Sequence, residues 1–137
     1  MDARRLEAEA DLLAQVFPGV GAGLDPQQGN GWVHIPSFPL PAGWSRSTTN
    51  LMVIVPGSYP HLPPDSFYVE KHLRDARGRP IDHYFEGAGH NRFAHRGWAW
   101  FCYHVRGPWR PTVDPYSGDS LATYVNLIGY ALQGVVR

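Results

Sequence analysis

The chain contains one cysteine, Cys102, in the run 97–105 (GWAWFCYHV), flanked by Phe101 and Tyr103 with His104 two positions on. A lone cysteine cannot close an intramolecular disulfide, so it serves as a nucleophile, a metal ligand or a small buried hydrophobe. Only the thiolate is a competent nucleophile, and a free cysteine has a pKa of about 8.5, so simple exposure or mild activation suffices. If the run is extended, alternate side chains share a face, which brings His104 to the sulfur's side as a helper. Four histidines, His83, His90, His95 and His104, lie near this cysteine in sequence. Their intervening six, four and eight residues match no zinc spacing, and no second cysteine assists. No metal and no cofactor is expected. GxSxG, P-loop and dinucleotide-binding glycine patterns are absent, which leaves hydrolase and nucleotide-enzyme readings without support.

The elements that must position Cys102 are short, because thirteen prolines and fifteen glycines punctuate 137 residues. Leu6, Ala10, Leu13 and Phe17 recur at spacings of four, three and four, which predicts an amphipathic helix over 3–17 that Pro18-Gly19 ends. A Gly/Pro/Asn-rich loop is expected over 19–31, then a strand over 32–38 (WVHIPSF) with Pro36 at an edge or bulge. The run 50–55 (NLMVIV) is apolar without alternation and predicts a strand buried on both faces. Residues 56–64 (PGSYPHLPP) hold four prolines and cannot be regular; 67–73 (FYVEKHL) predicts a third strand, and 74–96 a long polar loop or inserted hairpin. The run 97–105 around the cysteine is of strand or extended type, and 107–118 is a proline-broken loop. Leu121, Val125, Ile128 and Leu132 predict a last helix capped by Ser120 or Asp119. Helix, strand meander, irregular region with the cysteine, then helix make an α+β domain, with an antiparallel sheet covered on one face. One domain over 1–137 is expected, since no linker, repeat or low-complexity tract divides the chain.

Hydrophobic residues make up 43% and charged residues 18%, which excludes disorder by composition. Twelve basic residues balance twelve acidic ones, so no footprint for nucleic acid or anionic membrane follows. The N-terminus carries acids within its apolar stretch and no apolar run reaches membrane length, so a reducing cytoplasm is the expected compartment.

The segment Tyr59-Pro60-His61-Leu62-Pro63-Pro64, followed by Phe67, is similar to the YPxxPP segment of ubiquitin-conjugating enzymes, which leads from the second strand to the third. Cys102 followed seven residues later by Trp109-Arg110-Pro111, and then a helix, resembles the family's catalytic cysteine with its downstream Trp-x-Pro. The resemblance spans nearly the whole chain and points to divergent bacterial ubiquitin-conjugating-like proteins. The family's His-Pro-Asn is replaced by Gly89-His90-Asn91, eleven residues before Cys102, and the chain stops soon after Leu132, where the family continues with one or two more helices.

The resemblance implies a transferase in which Cys102 holds a ubiquitin-like modifier as a thioester and passes it to an amine. Its implied partners are the modifier, an activating enzyme and a protein substrate bearing a lysine. It implies that Asn91 hydrogen-bonds the oxyanion or the active-site loop, worth about a hundredfold in rate when a donor is lost, and that His90 is mainly structural. Asp114 and Asp119 are candidate acids to orient or deprotonate the lysine, with solvated loop acids as the plainer reading. Two alternatives stand beside the enzyme. One is a non-catalytic scaffold of the same fold that binds the modifier or its activating enzyme. The other is an unrelated α+β domain with an aromatic binding surface.

Overall fold

Asp2 opens the fold: its carboxylate accepts the N–H groups of Arg4 and Arg5, each at 3.1 Å, and caps helix α1 (Ala3–Ala14). In the computed structural model, residues 1–89 and 91–135 are described. α1 ends three residues sooner than its apolar spacing predicts, because the N–H groups of Val16 and Phe17 both turn back to the Leu13 carbonyl. Phe17 still reaches the core, its ring 5.6 Å from that of Phe38.

Six strands follow: β1 (Gly21–Asp25), β2 (Asn30–Pro39), β3 (Thr48–Val55), β4 (Ser66–Glu70), β5 (Tyr84–Phe85) and β6 (Trp98–Cys102), with a single 3₁₀ turn at Ala94–Arg96 before β6. Helix α2 (Leu121–Gly134) comes last. The strands form one antiparallel sheet in the order β1-β2-β3-β4-β6-β5. The expected three-strand meander is therefore β2 to β4, and three further strands extend it. β1 lies where a loop is expected. Gly21 and Gly23 conceal it, since glycine is a poor strand former, yet here glycine is required: a Cβ at Gly23 would come within 2.7 Å of the Trp32 ring. The run 97–105, expected to be of strand or extended type, holds β6, which lies inside the sheet between β4 and β5.

The segment 71–86 is tied down by polar contacts that periodicity does not reveal. Arg74 pairs with Glu86 at 3.2 Å and Arg79 with Asp75 at 2.7 Å, while the Tyr84 hydroxyl donates to the Glu70 carbonyl at 2.6 Å.

Both helices lie against the same sheet face. Leu6 and Leu13 of α1 and Leu121, Tyr124, Val125, Ile128 and Leu132 of α2 meet Val33, Ile35, Leu51, Val53, Phe67, Val69, Ala99 and Phe101 in one buried cluster. The outer face carries Trp32, His34, Met52, Ile54, Trp98 and Trp100, all half-buried. β3 consequently alternates, with Leu51, Val53 and Val55 inward and Met52 and Ile54 outward, and the expected burial on both faces is corrected. An unbroken apolar run reads as buried twice, but here its second row faces a groove.

Candidate active site around Cys102

Cys102 is the last residue of β6 and stands directly across from Ser66 of β4. Along β6, Ala99 and Phe101 face inward, while Trp98, Trp100 and Cys102 project from the outer face and are half-buried. The sulfur therefore sits on the side of the sheet away from the helices. His104 shares that side, with its Nε2 3.5 Å from the Cys102 Sγ. Tyr103, between them, turns inward. Its N–H donates to the Asp65 carbonyl at 3.3 Å, and its own carbonyl accepts from the Tyr124 hydroxyl at 3.1 Å. The strand exit is thus pinned to Asp65, the residue before β4, and to α2 while the sulfur stays outside. Burial pushes the Tyr124 phenol up, with Asp65, Tyr103 and Cys102 adding in that order, so its hydroxyl remains a donor.

The two proline motifs meet in space. The Trp109 indole N–H donates to the Pro60 carbonyl at 2.8 Å, and its ring lies 6.4 Å from that of Tyr59. The Tyr59–Pro60 peptide is cis. Pro63 is half-buried, and buried Pro64 leads toward β4. Pro111 pairs with Gly118 across the loop after Trp109.

Beneath these motifs lies a buried network that has no sequence signature. The Glu9 carboxylate accepts from the Tyr59 hydroxyl at 2.6 and 2.8 Å, from Arg5 Nε at 2.8 Å and from the Leu121 N–H at 2.6 Å. Arg5 Nη1 also donates to the Thr112 carbonyl. One carboxylate of α1 thus holds the prolyl loop and the first turn of α2, where an anion suits the helix dipole. Burial, then the hydrogen bond to Glu9, pushes the Tyr59 phenol well up.

Asn91 is buried, and its carboxamide is fully used: Nδ2 donates to the carbonyls of Phe85 at 3.1 Å and Trp98 at 2.7 Å, and Oδ1 accepts from the Phe93 N–H at 3.0 Å. These bonds clasp the segment before β6 at the end of that strand remote from Cys102. His90 lies outside the described residues. Asp119 accepts from the Arg110 N–H at 2.6 Å and Asp114 from the Tyr116 N–H at 2.9 Å, so both carboxylates serve the backbone of the loop that carries them. The structure brings together Cys102 and His104, and separately Tyr59, Pro60 and Trp109, while the hydrogen bonds of Asn91, Asp114 and Asp119 go to backbone groups. Ser66 and Asp65 are the neighbours that sequence reasoning missed, because pairing of β4 with β6 spans more than thirty residues. Among the described residues, no group of three His, Cys, Asp or Glu side chains could hold a metal ion, and no helix is long and apolar enough to cross a membrane.

What this arrangement can do is limited and definite. A half-buried thiol at a strand end, with an imidazole in contact and one open side, can attack an acyl carbonyl and later release it. Among family models, one described as prokaryotic E2 family E matches residues 24–134. No curated protein and no solved structure matches the chain.

Proposed function

The chain belongs to prokaryotic E2 family E, which gives it a role in ubiquitin-like conjugation, and within that role we propose that Cys102 is the acyl carrier. The Cys102 thiolate attacks the thioester carbonyl that joins the modifier's C-terminus to the activating enzyme. The carbonyl–sulfur bond to that enzyme breaks, its thiol leaves, and the modifier is held on Cys102. A substrate lysine amine then attacks the same carbonyl, the amide forms, and the Cys102 thiol is released. His104 is the group that accepts or returns the proton at the sulfur. Asn91, Asp114 and Asp119 are positioning residues that hold the flanking segments, and no proton passes through them.

The observation that carries this reading is the Cys102–His104 contact of 3.5 Å on the sheet's outer face. Incubation with the activating enzyme, modifier and ATP is expected to give a single adduct that thiol reductants remove and that Cys102→Ala does not form. An identical adduct on Cys102→Ala would refute it. A scaffold is the second reading, favoured by the engagement of both Asn91 donors away from the sulfur. Native-state alkylation separates the two: an acyl carrier reacts with iodoacetamide at a rate near that of a free thiol, whereas a scaffold's packed cysteine reacts only as fast as the chain opens.

A further inference from the structure

The outer face of the sheet carries a groove of about 810 Å³ with Trp32, Met52, Ile54 and Trp98 among its apolar lining and Arg92 and Arg96 on one side. Both guanidiniums are exposed, and neither forms an ion pair among the described residues; Arg92 rests on the Phe93 ring at 5.1 Å from its centre. Across the groove, the Asp25 carboxylate is occupied by the N–H groups of Gln27 and Gln28 at 3.2 and 3.3 Å. The Trp32 ring lies over β1, where the missing Cβ of Gly23 leaves room for it. The volume suits a few residues of extended peptide, with apolar side chains on the floor and anionic ones beside the two arginines.

Groove and cysteine share one sheet face and one row. Trp32 pairs with Ile54, Val53 pairs with Phe67, and Ser66 pairs with Cys102. The next step of the β3–β4 register sets Ile54 beside Ser66, so the row runs Trp32, Ile54, Ser66, Cys102. Three interstrand spacings make this about 14 Å, the reach of about four extended residues.

We propose that this groove seats the modifier's tail a few residues before its transferred carboxyl terminus, and that it selects apolar side chains interspersed with carboxylates. The proposal rests on Cys102 being the acyl carrier. The tail lies across the strands, its apolar side chains on Trp32, Met52 and Ile54 and its carboxylates at Arg92 and Arg96. Its terminal carbonyl then meets the sulfur. Acyl exchange there forms the Cys102 thioester and expels the donor thiol, with no other reactant.

The test uses synthetic octapeptides ending in two glycines, preceded by alternating leucine and glutamate or, as the control, serine and glutamine. As fluorescein-labelled amides on the Cys102→Ala protein, the leucine–glutamate peptide is expected to bind at least about tenfold more tightly, by anisotropy. The Arg92→Ser, Arg96→Ser double variant should reduce that advantage to about threefold or less. As mercaptoethanesulfonate thioesters on the unaltered protein, the same peptide should acylate Cys102 about tenfold faster than the control, by intact mass. Equal binding of both peptides, or a preference that survives in the double variant, overturns the groove assignment even if Cys102 is acylated. Selective binding with no acylation of Cys102 by either thioester overturns instead the acyl-carrier reading, and with it the assignment of this groove to the tail.

Discussion

The sulfur of Cys102 and the Nε2 of His104 lie 3.5 Å apart because residues two apart in an extended chain share a side. That geometry was legible in the sequence from spacing alone, whereas the pairing of Cys102 with Ser66 was not. The imidazole is exposed and makes no other hydrogen bond among the described residues, so its removal tests chemistry with little cost to the fold. His104→Ala is expected to slow thioester formation about tenfold, the worth of one modest hydrogen bond at the reacting atom. Its urea midpoint should correspond to a change within about 0.5 kcal/mol; a large loss of stability with an unchanged rate would assign His104 to packing. Asn91 shows the opposite case. Its type and position near the cysteine invite a catalytic role, but its bonds go to the backbone of residues 85, 93 and 98.

At the scale of elements, the tie between α1 and α2 runs through buried Glu9. Replacing it by leucine leaves the Arg5 guanidinium buried without its carboxylate, which costs about 3–5 kcal/mol. Tyr59→Phe removes one donor and costs about 1–2 kcal/mol, and equilibrium urea unfolding measures both. A second polar tie secures the segment after β4. Partial burial would raise the Glu86 carboxyl, but the His72 N–H, Arg74 and the Tyr84 hydroxyl outweigh it and hold it below its ordinary range. The Arg79 N–H, with the Arg79 side chain and the Arg77 N–H, does the same for Asp75. Both carboxylates bind protons more weakly folded than unfolded. Their stabilisation is therefore complete above the ordinary carboxyl pKa, near pH 4, and is lost as pH falls through the depressed folded values. Glu86→Gln is expected to flatten the acid limb of the stability curve below about pH 4.5 and to leave its slope at pH 6–8 unchanged. None of these ties is periodic, so the sequence shows only a polar stretch at 74–96. The YPxxPP and Trp-x-Pro motifs were legible as residues; the indole hydrogen bond to Pro60 that joins them was not.

For the whole molecule, the sheet divides the protein into a packed side under two helices and an open side that carries both the cysteine and the groove. The apolar helix stripes and the runs of β2, β3 and β4 made the packed side readable, since burial on one face imposes those periods. The open side stayed hidden: its tryptophans and Met52 and Ile54 look like core residues by type, and β1 and β5 are too glycine-rich or too short to announce themselves. Adjacent residues on β3 separate the two sides experimentally. Leu51→Ala, at a fully buried position, is expected to cost about 2–5 kcal/mol. Met52→Ala should cost less than about 1.5 kcal/mol while weakening peptide binding in the groove. Similar losses for both variants would mean that the outer face is as tightly packed as the inner.

The identity of the acceptor atom at position 102 decides the account, and intact-mass analysis of Cys102→Ser after incubation with activating enzyme, modifier and ATP reads it directly. An oxygen in place of the sulfur is expected to trap the modifier as an ester that persists in excess thiol and is cleaved by mild alkali. Cys102→Ser protein that gains no mass, while the unaltered chain forms its adduct and that adduct maps to another residue, would contradict it.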